Sequence, residues 1–197
     1  VTPSPAVPKR NLRVEAAEQT RAKLIETGLT LTESLGLEGL SVNAIVAAAG
    51  VSKGTFFHHF ADRTAYLVAM HRRFHDALAE EIATVMSDLP PGAERLDAVA
   101  ETYLDGCLRD RGVKALLLEA RGHRPISDEV MSRNERSVTI VTADFEAMGA
   151  PWPRQQARLW VAATAETALV ELELGRQDIA AREALRGFIP RGRSATG

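Results

Sequence analysis

The sequence predicts an all-α fold of about nine helices, and three observations point that way. From Leu12 almost to the end, apolar residues recur at three- and four-residue spacings, the period of a half-buried helix. No stretch sustains the apolar–polar alternation of a strand with one wet face. The interruptions are helix punctuation: Gly36, Gly50, Leu89-Pro90-Pro91-Gly92, Gly149 and Gly175, with Ser41, Ser52 and Asp62 each placed to cap a new helix.

The Pro-rich, polar start predicts a disordered arm over residues 1–11. It lacks the apolar run of a secretory signal. A first helix over 14–35 carries Ala17, Leu24, Ile25, Leu31 and Leu35 on one stripe and stops at Gly36. Ser41 caps a short helix that Gly50 breaks, and Ser52 caps another opening at Lys53. Asp62 caps a long helix over 63–87, where Tyr66, Met70, Phe74, Leu78, Ile82 and Val85 repeat at helical spacing. Further helices are expected over 93–109, 113–121, 127–148, 153–174 and 177–188, with the second of these ended by Gly122-His123-Arg124-Pro125. A frayed tail occupies 191–197.

The stretch SVNAIVAAAGVSKGTFFHHFADR holds two short capped helices around a tight turn at Ala49-Gly50-Val51, the grammar of a helix-turn-helix. Its second helix is dense in groups suited to DNA. Lys53 is a flexible cation, Gly54 permits close backbone approach, and Thr55 offers a hydroxyl and a methyl. His58 and His59 can donate to phosphates, and Arg63 opens the next helix beside them. Amides freed at the helix starts near Ser41 and Ser52 attract phosphate. Phe60 belongs to the core, whereas Phe56 fits either the core or the DNA face. Charge agrees: nine Lys/Arg against six Asp/Glu in residues 1–75, and fifteen against twenty in 76–197, for a net −2.

At these residues the chain resembles the DNA-binding domain of TetR-family transcriptional regulators. The resemblance spans about residues 21–67 and rests on Ile45, Ala49-Gly50-Val51-Ser52, Gly54-Thr55, Phe57, His59-Phe60 and Arg63. It implies a three-helix helix-turn-helix domain over 12–75, joined by a long helix to a helical effector-binding and dimerisation domain over 76–190. Ser41, Ser52, Lys53, Thr55, His59 and Arg63 fall where family members touch the DNA backbone. Gly54, Phe56 and His58 fall at or beside base-reading positions. Three positions depart from the family pattern. Phe57 replaces a tyrosine whose phenol commonly bonds a phosphate, Arg63 replaces a lysine, and Thr32 replaces a phenylalanine whose space Leu35 is expected to fill in part.

The resemblance also implies a mainly apolar effector cavity, with Tyr103, Cys107, Leu117, Phe145, Met148, Trp160 and Thr164 as its expected wall. It implies a homodimer paired through the last two long helices, for which Ala163, Thr167, Val170, Leu174, Leu185 and Phe188 are the expected contacts. The partners are then a palindromic double-stranded operator, a second copy of the chain and a small, mostly apolar effector. Repressor action is the first expectation, with an activator or a ligand-independent regulator as the alternative and a helical enzyme or metal protein behind both.

Other chemistry is thinly represented. His71 and His75 are four apart on one helix face, but no third ligand accompanies them, and an ordinary polar surface is expected there. No phosphate-binding loop, nucleophile elbow or dinucleotide fingerprint occurs, so neither catalysis nor a cofactor is expected. The single cysteine, Cys107, has no internal partner, which fits a reducing cytoplasm. No apolar run reaches the ~18 residues of a membrane span.

Overall fold

The computed structural model describes residues 9–119, 122 and 124–190, and every regular element among them is helical. In order these are α1 (Lys9–Gly39), α2 (Val42–Ala49), α3 (Lys53–His59), α4 (Arg63–Asp88), α5 (Ala93–Arg109), α6 (Arg111–Glu119), α7 (Arg124–Ala147), α8 (Pro153–Leu174) and α9 (Ile179–Arg186). The expected arm lies outside the described residues as far as residue 8, and its last three residues belong to α1. The tail over 191–197 also lies outside them. None of the described helices is long and apolar enough to cross a membrane.

Helices α1 to α3 and the start of α4 form a head around Leu24, Leu40, Ile45, Phe56, Tyr66, Leu67 and Met70, all fully buried. Gly36 interrupts α1 in the left-handed region (φ 60°, ψ −172°), a conformation that costs a residue with a Cβ and that glycine adopts freely. Tyr66 pins α4 to α1 by donating its hydroxyl to the Leu24 carbonyl at 2.7 Å. Gly28 is what makes room for it, since a Cβ there would stand 1.9 Å from the phenol oxygen. Thr32 is buried and donates to the Leu29 carbonyl at 2.6 Å. Leu35, expected to fill part of the space beside Thr32, is 38% exposed, and the Thr32 hydroxyl is satisfied within its own helix turn.

Beyond the head, α4 continues into a body built of α5 to α9. Helices α7 and α8 form a tightly packed hairpin, α5 packs on both α4 and α8, and α9 caps α8. Helix α6 lies against α1, so head and body meet there as well as through α4. Two buried ion pairs lock the body. Arg95 donates to Asp144 at 2.7 Å, and the Gly92 amide donates to the same oxygen at 2.9 Å. Arg182 of α9 reaches fully buried Glu171 of α8 at 2.6 and 2.8 Å and extends to Asp105 and Glu101 of α5.

Several element limits differ from expectation: α1 starts at Lys9 and runs on past Gly36 to Gly39, and α6 starts at Arg111. Arg124 and Pro125 open α7 instead of ending the helix before it, because proline in a first turn removes an amide that has no helical acceptor. Helix α9 starts at Ile179, where Asp178 accepts from the amides of Ala180 and Ala181.

Candidate nucleic-acid interface

The turn between α2 and α3 is set by local chemistry. Ser41 accepts from the Ala44 amide at 3.2 Å and Ser52 from the Thr55 amide at 3.0 Å, so both serines cap. Gly50 sits in the left-handed region (φ 66°, ψ 35°), and its amide and that of Val51 reach back to Ala47 and Val46. Helix α3 is seven residues long, and Phe56 at its middle is fully buried against Phe60 and Tyr66, with ring centroids 5.3 and 5.2 Å away. The expectation of Phe56 beside the base-reading positions is corrected: its ring roots α3 in the head and leaves nothing for DNA.

The opposite side of α3 is open. Ser52, Lys53, Gly54 and His58 are exposed, while Thr55 and His59 are half-buried. A Cβ on Gly54 would meet only the Ser52 hydroxyl, at 3.6 Å, so this glycine answers no packing need inside the protein. Thr55 shares its hydroxyl with Ser52 at 2.9 Å. Phe57 is 52% exposed and, with Ser41, Val42, Asn43 and Lys53, walls a shallow cleft of about 160 Å³. Arg63 is half-buried and donates through Nε to the Leu40 carbonyl at 2.9 Å, bracing the start of α4 against the joint before α2.

Sequence reasoning missed Arg21. It lies on α1, outside the motif, yet its guanidinium stands 5.0 Å above the Phe60 ring. Partial burial, the neighbouring His58 and Arg21 hold the His59 imidazole below its ordinary pKa. Arg21 and Lys53, both exposed, give this part of the head positive charge that attracts phosphate.

In the body, α4, α5, α7 and α8 enclose a cavity of about 200 Å³. Tyr103, Trp160 and Thr164 of the expected wall line it, joined by Ile82, Met86 and Arg133, which the sequence did not single out for this wall. The placement of Cys107, Phe145 and Met148 is corrected, and that of Leu117 is not tested. Cys107 and Phe145 are buried away from the cavity, Met148 packs on the core, and the side chain of Leu117 lies outside the described residues. Burial pushes the Cys107 thiol up, the opposite of what a nucleophile needs. His71 is buried, which corrects the polar surface expected at His71 and His75; among the described residues no cluster suits a metal ion.

Of the expected dimer contacts, Leu174 and Phe188 are 47% and 53% exposed, and Ala163 and Val170 are half-buried. Thr167 and Leu185 are corrected to the interior of their own subunit, because α8 turns Thr167 inward with Trp160 and Glu171 and α9 turns Leu185 inward with Arg182.

Residues 24–70 match the model of the tetR family of bacterial regulatory proteins. The chain is 28% identical over 142 residues to the HTH-type transcriptional regulator CymR of Pseudomonas putida, covering 70% of this chain and 68% of that one. It is 33% identical over 96 residues to the HTH-type transcriptional repressor DhaR of Mycobacterium sp. strain GP1, covering 46% and 48%. Its fold matches the crystal structure of a transcriptional regulator from Rhodococcus sp. Rha1 with a TM-score of 0.70 at 25% identity, over 88% of this chain and 95% of that one. Motif, exposed cationic surface and whole-chain fold agree: the chain belongs to the TetR family of bacterial regulatory proteins and is a DNA-binding transcriptional regulator.

Proposed function

We propose that the chain is a homodimeric repressor of the cytoplasm that leaves a palindromic operator when a small, mostly apolar effector fills the cavity in its body. The reading rests above all on α4. Its first residue, Arg63, braces the joint under the DNA surface, and Ile82 and Met86 near its other end line the cavity. A ligand between α4 and α8 therefore acts on the same rigid rod that carries the head. If the effector binds better to a dimer whose heads are wrongly spaced, DNA and effector weaken each other by the same factor. Ser41, Ser52, Lys53, Thr55, His59 and Arg63 contact the backbone in this reading, and Gly54 and His58 meet base edges. Two copies of α3 reach successive major grooves because a second chain covers Leu174 and Phe188. No catalytic step enters.

Selection of random duplex DNA by the purified full chain, followed by a salt series, tests the operator. An enriched palindrome is expected, with affinity falling steeply as salt rises. Lys53→Ala is expected to weaken binding and reduce the salt slope by about one. Enrichment of a single, unrepeated half-site would overturn the two-fold reading.

A further inference from the structure

We propose that the effector carries an anionic hydrogen-bond acceptor, a carboxylate or its equivalent, held between Trp160 of α8 and Arg133 of α7. The inference rests on the effector reading above and narrows it to a chemical class. Two donors on cavity-lining side chains have no acceptor within the protein. The Trp160 indole N–H is one, on a side chain only 3% exposed; the Arg133 Nε–H is the other. Buried donors are almost always satisfied, because each has given up a hydrogen bond to water. Arg133 is already oriented, since its Nη2 donates at 2.7 Å to Asp76 on the outer surface. The Thr164 hydroxyl donates to the Trp160 carbonyl at 2.8 Å.

Charge selects in the same direction. The ionisable residues lining the cavity are His75, Tyr103 and Arg133, and the lining includes no Asp or Glu. Buried Lys114 stands behind the wall, donates to the Tyr103 hydroxyl at 3.0 Å and lies 5.3 Å from the centre of its ring. A cationic ligand would lose its hydration there and meet Arg133 with no carboxylate on the wall to balance its charge. An anion meets two unpartnered donors and no carboxylate on the wall, with Ile82, Met86, Val99 and Val141 left for an apolar body. The volume, about 200 Å³, is below the roughly 300–1,000 Å³ of drug-sized sites, which favours a ligand of about a dozen heavy atoms.

Titration calorimetry of the full-length protein with 4-phenylbutyrate, 4-phenylbutanol and 4-phenylbutylamine separates acceptor anion, neutral and cation at nearly constant shape. The carboxylate is expected to bind best and the amine on the order of a hundredfold more weakly. Trp160→Phe and Arg133→Met are each expected to weaken the carboxylate about tenfold and to narrow its advantage over the amine, a change in selectivity that a loss of packing alone would not produce. An amine that binds as well as the carboxylate, or a carboxylate indifferent to both variants, would overturn the anion assignment and leave the cavity as an effector site. If none of the three binds, the assignment also falls. A thermal-shift screen of neutral and cationic compounds then decides the wider reading separately: a hit keeps the effector, and none removes it.

Discussion

At Phe57 an aromatic ring stands half out of the protein beside Ser41, Asn43 and Lys53, on the surface proposed to meet DNA. An added hydroxyl would reach solvent without displacing core, and it supplies the phosphate donor this position lacks. Phe57→Tyr is therefore expected to tighten operator binding roughly three- to tenfold, the net yield of one hydrogen bond, with no change in thermal midpoint. His59 gives a second test. Its imidazole is held below its ordinary pKa in the free protein, and an approaching phosphate favours the imidazolium, so DNA binding takes up a proton. Operator affinity should rise as pH falls from about 8 to about 6, and His59→Gln should flatten that profile. The caps at Ser41 and Ser52 were legible in the sequence because capping is a contact three residues long. The division of labour between Phe56 and Phe57 was not. Seven residues make two turns, too few for a period to show which of two adjacent rings faces inward.

Helices carry a different kind of information. The limits of α4, α5 and α8 could be read from caps, glycines and prolines, whereas the wall of the cavity takes side chains from four helices and follows from packing alone. Arg133 and Asp76 are 57 positions apart, and no local pattern joins them. The crossing of α1 and α4 shows how much one position can decide. Gly28→Ala would drive a methyl into the Tyr66 hydroxyl, at a cost of about 1–3 kcal/mol in denaturant unfolding. Adding Tyr66→Phe, which removes the clashing oxygen, should make the pair clearly non-additive. At the other end, Arg182→Ala would strand Glu171, which has no exposure, and should destabilise the body by about 3–5 kcal/mol. Arg182→Met with Glu171→Leu should recover most of that loss, because an apolar pair of similar volume leaves no buried charge behind.

In the proposed dimer the whole molecule has to place two heads at the spacing of a duplex, so the surface joining the subunits is part of the DNA-binding device. Within one subunit that surface divides into residues that fold the chain and residues left over. Thr167 and Leu185 are already buried, so polar or smaller replacements there should lower stability whether or not a partner is present. Leu174 and Phe188 are about half exposed, and replacing them touches little of their own subunit. Leu174→Glu combined with Phe188→Glu places like charges on both sides of a two-fold contact, where each meets its own image or a close neighbour. The expected product is a folded monomer by analytical ultracentrifugation, with helical content retained and operator affinity down by at least a hundredfold. A variant that stays dimeric would move the interface off this end of α8 and α9. A monomer that still holds the full palindrome at wild-type affinity would instead break the link between pairing and recognition, since one head has only one half-site to grip.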